Sequence, residues 1–147
     1  MLNFKTKYFN EISTAELYAI LQLRSEVFVV EQDCVYQDID YKDQKAIHIL
    51  GYKNDILVAY TRCFKSHDYF EYASIGRVLV KENERKFKYG HALMQESIRA
   101  IHSAFNETTI KISAQTYLKS FYESHGFAKI GDGYLEDGIP HIAMIKQ

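Results

Sequence analysis

The strand-like run Ile75-Gly-Arg-Val-Leu-Val80 leads through a polar loop to Arg85-Lys-Phe-Lys-Tyr-Gly-His-Ala-Leu-Met94, where helical spacing begins. Strand, loop and helix start make a phosphate site by geometry. The first amides of a helix lack intrahelical acceptors and carry the positive end of its dipole. Arg85, Lys86 and Lys88 add charge, and Gly90 lets the backbone approach a ligand closely. Taken alone, the stretch reads equally well as an ordinary basic loop before a helix. A second stretch, Ala114-Gln-Thr-Tyr-Leu-Lys-Ser-Phe-Tyr-Glu-Ser-His-Gly-Phe127, spaces Gln115, Leu118 and Tyr122 at i, i+3 and i+7. On a helix these share one face, with the Tyr122 hydroxyl able to give up a proton. The third feature is acidic: Asp38, Asp40 and Asp43. Such a run is either a solvated loop or a wall that attracts a cationic amine.

The elements that must position these groups follow from periodicity. A first strand is expected at Asn3 to Phe9. Ser13 and Glu16 form a capping-box pattern before Leu17, Ile20, Leu21, Arg24 and Phe28, so a helix is expected over Thr14 to Val30. Ile47 to Tyr52 and Ile56 to Phe64 read as strands around Asn54-Asp55, a pair that tolerates left-handed turn conformations. Ser74 to Val80 follows as a third antiparallel strand. Leu93, Ile98, Ile101 and Phe105 mark a long helix from Tyr89, and Thr109 to Ala114 a further strand. A short helix over Gln115 to His125 would end at Gly126. Phe127 to Leu135 and Ile139 to Ile145 surround Glu136-Asp137-Gly138 as a last hairpin. The order is β-α-β-β-β-α-β-α-β-β, an α/β (α+β) fold.

The 147 residues fit one domain, and a single proline with no repeat or low-complexity stretch leaves no linker at which to divide residues 1 to 147. With 47% hydrophobic residues, 25% charged and a net charge of -1, the chain reads as globular, without the basic excess of a general nucleic-acid binder. Cys34 and Cys63 make no disulfide framework, which favours a reducing, cytoplasmic setting. Neither a signal peptide nor a membrane span is expected. No two histidines have metal-pair spacing and the cysteines complete no zinc set, so no metal is expected.

Together the two chemical stretches resemble the GNAT superfamily of N-acetyltransferases. That family binds the CoA pyrophosphate with an Arg or Gln, two residues, a Gly, one residue and a Gly or Ala. The matching positions are Arg85, Lys88 and Gly90, with Lys88 replacing the first Gly. A closer likeness, through Leu23-Arg-Ser-Glu-Val-Phe-Val-Val-Glu-Gln32, Tyr36-Gln-Asp-Ile-Asp40, Ile75-Gly-Arg-Val78 and Asp137-Gly-Ile-Pro-His141, is to the ElaA-like branch. The resemblance implies a mixed, mainly antiparallel sheet with helices on both faces and acetyl-CoA as the acetyl donor. It also implies a donor site over Arg85, Lys86, Phe87, Lys88, Tyr89, Gly90 and His91. Gln115 stands where many relatives carry an Asn that contacts the pantetheine arm, Leu118 accompanies it, and Tyr122 lies near the CoA sulfur.

An amine with a lysine-like pKa is mostly protonated at pH 7, and freeing its lone pair costs about 4.6 kcal/mol. A base or water chain is needed, and Glu31, His48 and His141 are the candidates. The resemblance assigns the oxyanion donor to a backbone N–H of Val78, Leu79 or Val80. It assigns protonation of the departing thiolate to Tyr122. The acceptor is a small-molecule or peptide amine, its wall drawn from Phe28, Glu31, Arg77, Asp38 and Asp40. Arg24 and Arg77 either bind an acceptor carboxylate or pair with the aspartates, the second being favoured for Arg24. Two rival readings are a non-catalytic acyl-CoA-binding module and an N-acyltransferase akin to acyl-homoserine-lactone synthases, whose N-terminal half is similar around Arg24, Phe28 and the aspartates. The sequence leaves monomer and homodimer both open.

Overall fold

Apolar residues alternate along the strands of the computed structural model, which describes residues Met1–Gln147, so that one sheet serves two cores. In chain order the elements are β1 (Asn3–Tyr8), α1 (Thr14–Arg24), β2 (Ile47–Lys53), β3 (Ile56–Phe64) and β4 (Ala73–Val80). Then come α2 (Tyr89–Phe105), β5 (Ile110–Gln115), α3 (Lys119–Glu123), β6 (Ala128–Glu136) and β7 (Ile139–Lys146). The seven strands lie in the order β1-β2-β3-β4-β5-β7-β6, antiparallel except between β4 and β5. Ile47, Ile49, Ala59, Ile75 and Ile112 face Leu93, Met94 and Ile101 of α2 and Tyr122 of α3. Leu50, Tyr60 and Leu79 point the other way, onto Ile20, Leu23, Val27 and Phe28. Helices therefore cover both faces, and the expected element order stands.

Local chemistry fixes the turns. Ser13 Oγ accepts from the Glu16 N–H at 3.1 Å while Glu16 Oε1 accepts from the Ser13 N–H at 2.9 Å, closing the capping box. Asn54 and Asp55 have φ of 50° and 66°, and Asp137 and Gly138 of 51° and 78°, the left-handed pairs that reverse a two-residue hairpin.

Two expectations need correction. The first helix is α-helical only to Arg24; Ser25–Glu31 winds in the wider π manner. The fully buried Arg24 at that junction is held by ionic contacts, and the wider turn buries Val27 and Phe28 while leaving Val30 exposed. The helix expected over Gln115 to His125 begins later. Gln115 is retained in β5 by pairing with His141, Thr116–Leu118 makes a 3-10 turn, and only Lys119–Glu123 is α-helical. No helix is long and apolar enough to cross a membrane.

The feature that makes a site is a parting of the sheet. β4 and β5 pair only at Ala73–Ile110 and Ser74–Lys111, and beyond Ser74 the two strands separate. On its other edge β4 carries a bulge: Tyr60 pairs with Leu79 and Arg62 with Gly76, leaving Arg77 and Val78 opposite Thr61 alone. Arg77 takes the bulge with φ 51°, a left-handed conformation costing roughly 1–2 kcal/mol for a residue with a Cβ.

Candidate active site

A cavity of about 140 Å³ opens where β4 and β5 part. Residues of both sheet faces line it. Val78, Ile112, Leu118 and Tyr122 lie toward the α2 and α3 side, whereas Phe28, Arg62, Ser74, Gln115 and His141 come from the opposite side, Gln115 beside its cross-strand partner His141. Gln115, Leu118 and Tyr122 thus meet at the cavity, although they come from a strand, a 3-10 turn and a helix rather than from one helical face.

Tyr122 is 5% exposed, its ring edge-on to Phe121 and Phe127. Burial pushes its phenol well above the ordinary value, so the O–H is intact throughout the physiological range. His141 on β7 is 6% exposed. Its Nδ1 stands 2.7 Å from the Ile139 carbonyl oxygen, which can only accept; the proton of the neutral ring is therefore on Nδ1 and the lone pair on Nε2. Nε2 lies 3.5 Å from a Glu136 carboxylate oxygen, which would stabilise the imidazolium formed when Nε2 takes a proton.

The other two base candidates are committed elsewhere. His48 is wholly buried between the Tyr60 hydroxyl, at 2.6 Å, and the Asp43 carbonyl, at 2.9 Å, and burial lowers its pKa. Glu31 is gripped by Arg85, with Nη1–Oε2 2.5 Å and Nη2–Oε1 2.9 Å, and does not line the cavity. Arg85 also donates from Nε to the Val80 carbonyl at 2.9 Å, so it ties the end of the first helical segment to the end of β4. The charge left for an anion in this loop is that of Lys86 and Lys88.

The loop otherwise fits a phosphate. Helix α2 begins without a side-chain cap or an acidic residue in its first turn, so its positive end is unopposed. Lys88, in the place of the family's glycine, adopts φ 60° and ψ 31°, the left-handed conformation for which glycine is the usual choice. A Cβ on Gly90 would touch only the Phe121 ring, at 3.4 Å. The Phe87 and Tyr89 rings lie tilted to one another, 5.4 Å apart, under Lys53, and His91 Nδ1 lies 3.0 Å from His125 Nε2. Leu79 is buried in the α1-side core, so it offers a ligand only backbone.

Asp38, Asp40 and Asp43 are not a free acidic wall. Arg24 binds Asp38 and Asp43 at 2.8 and 2.9 Å, Arg62 binds Asp40 and Asp43 at 2.5 and 2.8 Å, and Arg77 reaches Asp38 and Asp40 at 2.7 and 3.4 Å. Three arginines and three aspartates close a neutral network behind the cavity. Burial alone would raise the Asp40 pKa, but Arg62 and Arg77 outweigh it and hold the carboxyl well below the usual range. Phe28 and Arg77 do line the cavity. Sequence reasoning missed Arg62, Ser74 and Glu136, which sit singly on strands and carry no motif.

A mixed sheet parted after β4, with a basic loop opening the next helix, is the architecture of the acyl-CoA N-acyltransferases. The chain belongs to the GNAT acetyltransferase family: residues 11–147 match the model described as Acetyltransferase (GNAT) domain. It is similar to Protein ElaA of Escherichia coli (strain K12), at 45% identity over all of this chain and 97% of that protein. The crystal structure of Escherichia coli ElaA superposes with a TM-score of 0.93, at 44% identity and with both chains fully covered. An acyl-CoA N-acyltransferase from Pseudomonas aeruginosa gives a TM-score of 0.94 at 36% identity, again covering both chains.

Proposed function

We propose that residues 1–147 form a single acetyl-CoA-dependent N-acetyltransferase domain that acetylates a primary amine by direct attack within a ternary complex. The observation that carries this reading is the cavity between β4 and β5, with Tyr122 on one side of the sheet and His141 on the other. Acetyl-CoA supplies a thioester carbonyl open to attack by an amine lone pair. Lys86, Lys88 and the start of α2 hold its pyrophosphate, with Phe87, Tyr89, Gly90 and His91 forming the loop surface. Gln115 and Leu118 line the path of its pantetheine arm.

His141 Nε2 accepts the amine proton, directly or through water, and Glu136 stabilises the resulting charge. Backbone N–H groups of Val78 to Val80 lie past the last β4–β5 pair, so those directed toward β5 are not taken by that strand and can donate to the developing oxyanion. Tyr122 protonates the departing sulfur. The free thiols Cys34 and Cys63 suit a cytoplasmic setting, where acetyl-CoA is available.

The test is CoA thiol release with acetyl-CoA and a panel of amines, with acetylated product identified by mass, alongside calorimetry with CoA. Binding together with amine-dependent release supports the reading. Binding without release across the panel favours a module that only holds CoA, and absence of binding overturns both.

A further inference from the structure

Two buried polar atoms on residues that line the cavity have no partner in the chain: Arg62 Nε and Ser74 Oγ. Arg62 is 1% exposed and Ser74 2%. A buried donor left unpaired costs about 1–3 kcal/mol, so two on residues that line one cavity call for an acceptor. Arg62 pairs with Gly76 and Phe64 with Ser74 across β3 and β4, making Arg62 and Ser74 diagonal neighbours on one face. The terminal nitrogens of Arg62 are already engaged: Nη1 donates to Asp40 and Asp43 at 2.8 Å each and Nη2 to Asp40 at 2.5 Å. Its pose is thereby fixed with Nε–H left over. Arg77 Nε adds a third incompletely used donor, 2.7 Å from Asp38 Oδ1 but misaligned for a hydrogen bond.

The other polar groups of the cavity have opposite character. Glu136, at the end of β6, holds a carboxylate oxygen 3.5 Å from His141 Nε2, and Asp137 follows it on the cavity lining. A ligand that satisfies both ends carries oxygen acceptors at one and an amine at the other. About 140 Å³ is room for a small molecule. A charge-assisted bond from a guanidinium favours a carboxylate over a neutral carbonyl.

Resting on the transferase reading above, we infer that the acceptor is a free amino acid, held by its carboxylate on Arg62 Nε and Ser74 Oγ with its amine toward His141. Protein bound to CoA is titrated calorimetrically with amino acids, their carboxamides and the corresponding decarboxylated amines. Amino acids bind, about tenfold or more tighter than either analogue. Ser74→Ala removes a hydroxyl that holds nothing in the fold, and it weakens amino-acid binding about fivefold or more.

Equal or tighter binding of carboxamides or decarboxylated amines overturns the inference, as does a Ser74→Ala variant that binds amino acids unchanged. Because binding is read without turnover, the two readings fail separately. Amino acids that bind but release no thiol remove the transferase and leave the carboxylate site. Turnover of peptides or polyamines by a protein that binds no amino acid does the reverse.

Discussion

His141 Nδ1 lies 2.7 Å from the carbonyl oxygen of Ile139, two residues away on the same strand, and that contact leaves Nε2 as the lone pair presented to the cavity. His141→Gln keeps the size and polarity of the side chain but cannot accept a proton at Nε2. Turnover is expected to fall by roughly 10²–10⁴ with CoA affinity retained. Glu31→Gln serves as the contrast, because it loosens Arg85 and should weaken CoA binding more than turnover. Steady-state kinetics and calorimetry with CoA for both variants decide between the two residues.

Tyr122→Phe preserves the aromatic packing on Phe121 and Phe127 and deletes only the hydroxyl. Turnover should drop by about 10²-fold or more while the dissociation constant for CoA, measured calorimetrically, stays within a few-fold. An unchanged turnover number would remove Tyr122 from the proton path.

Lys88 occupies a left-handed backbone position at φ 60°. Lys88→Gly relieves roughly 1–2 kcal/mol of strain, offset by about 0.5–1 kcal/mol of added freedom in the unfolded chain. A slightly higher denaturation midpoint is expected, together with weaker CoA binding that depends less steeply on salt. Urea titration and calorimetry at two ionic strengths read the two effects separately.

Asp43 is shared by Arg24 and Arg62. Asp43→Asn leaves two buried guanidinium groups short of a counter-charge and should destabilise the fold by about 3–5 kcal/mol in urea unfolding. The same region sets the acid response. Burial holds His48 below its ordinary value, so the unfolded chain takes up that proton first and stability begins to fall as pH drops below about 6.5. Asp40, held low, and Glu16, lowered to about 2 chiefly by Lys7, add a second loss as pH falls through the ordinary carboxylate range near 4. Denaturation midpoints from pH 8 to pH 3 should show both phases.

Gly76 lines the cavity, and a Cβ built on it meets no atom within 4 Å. Gly76→Val fills space rather than displacing neighbours, and a β-branched residue suits a strand. Thermal stability is expected to hold or rise, while KM for the amine rises about tenfold or more and CoA affinity is unaffected.

Where local chemistry governs, the sequence was readable. The Ser13–Glu16 box, the Asn54-Asp55 reversal and the α2 start at Tyr89 all follow from neighbouring residues. What escaped depends on distant partners. Asp40 meets Arg62 across twenty-two positions, so an acidic run that reads as an open wall is instead neutralised. Gly76 hints at a bulge in β4, but the left-handed residue is its neighbour Arg77, held there by contacts to Asp38 and Asp40 that the sequence does not show. Gln115 looked helical by spacing until pairing with His141 claimed it for the sheet. Arg62 and Ser74 were indistinguishable from ordinary strand residues until their unpaired atoms were seen against one cavity.

The two halves of the sheet are joined at only two residue pairs, and that joint acts as the fulcrum of a lever. From Ser74 to Val78 the arm is about 13 Å long, so a rotation of about 5° at the fulcrum moves its tip by about 1 Å. Displacements of that size can change a rate about 10²-fold. Ala73 and Ile110, both fully buried, thereby set how far apart the two strands stand along the cavity.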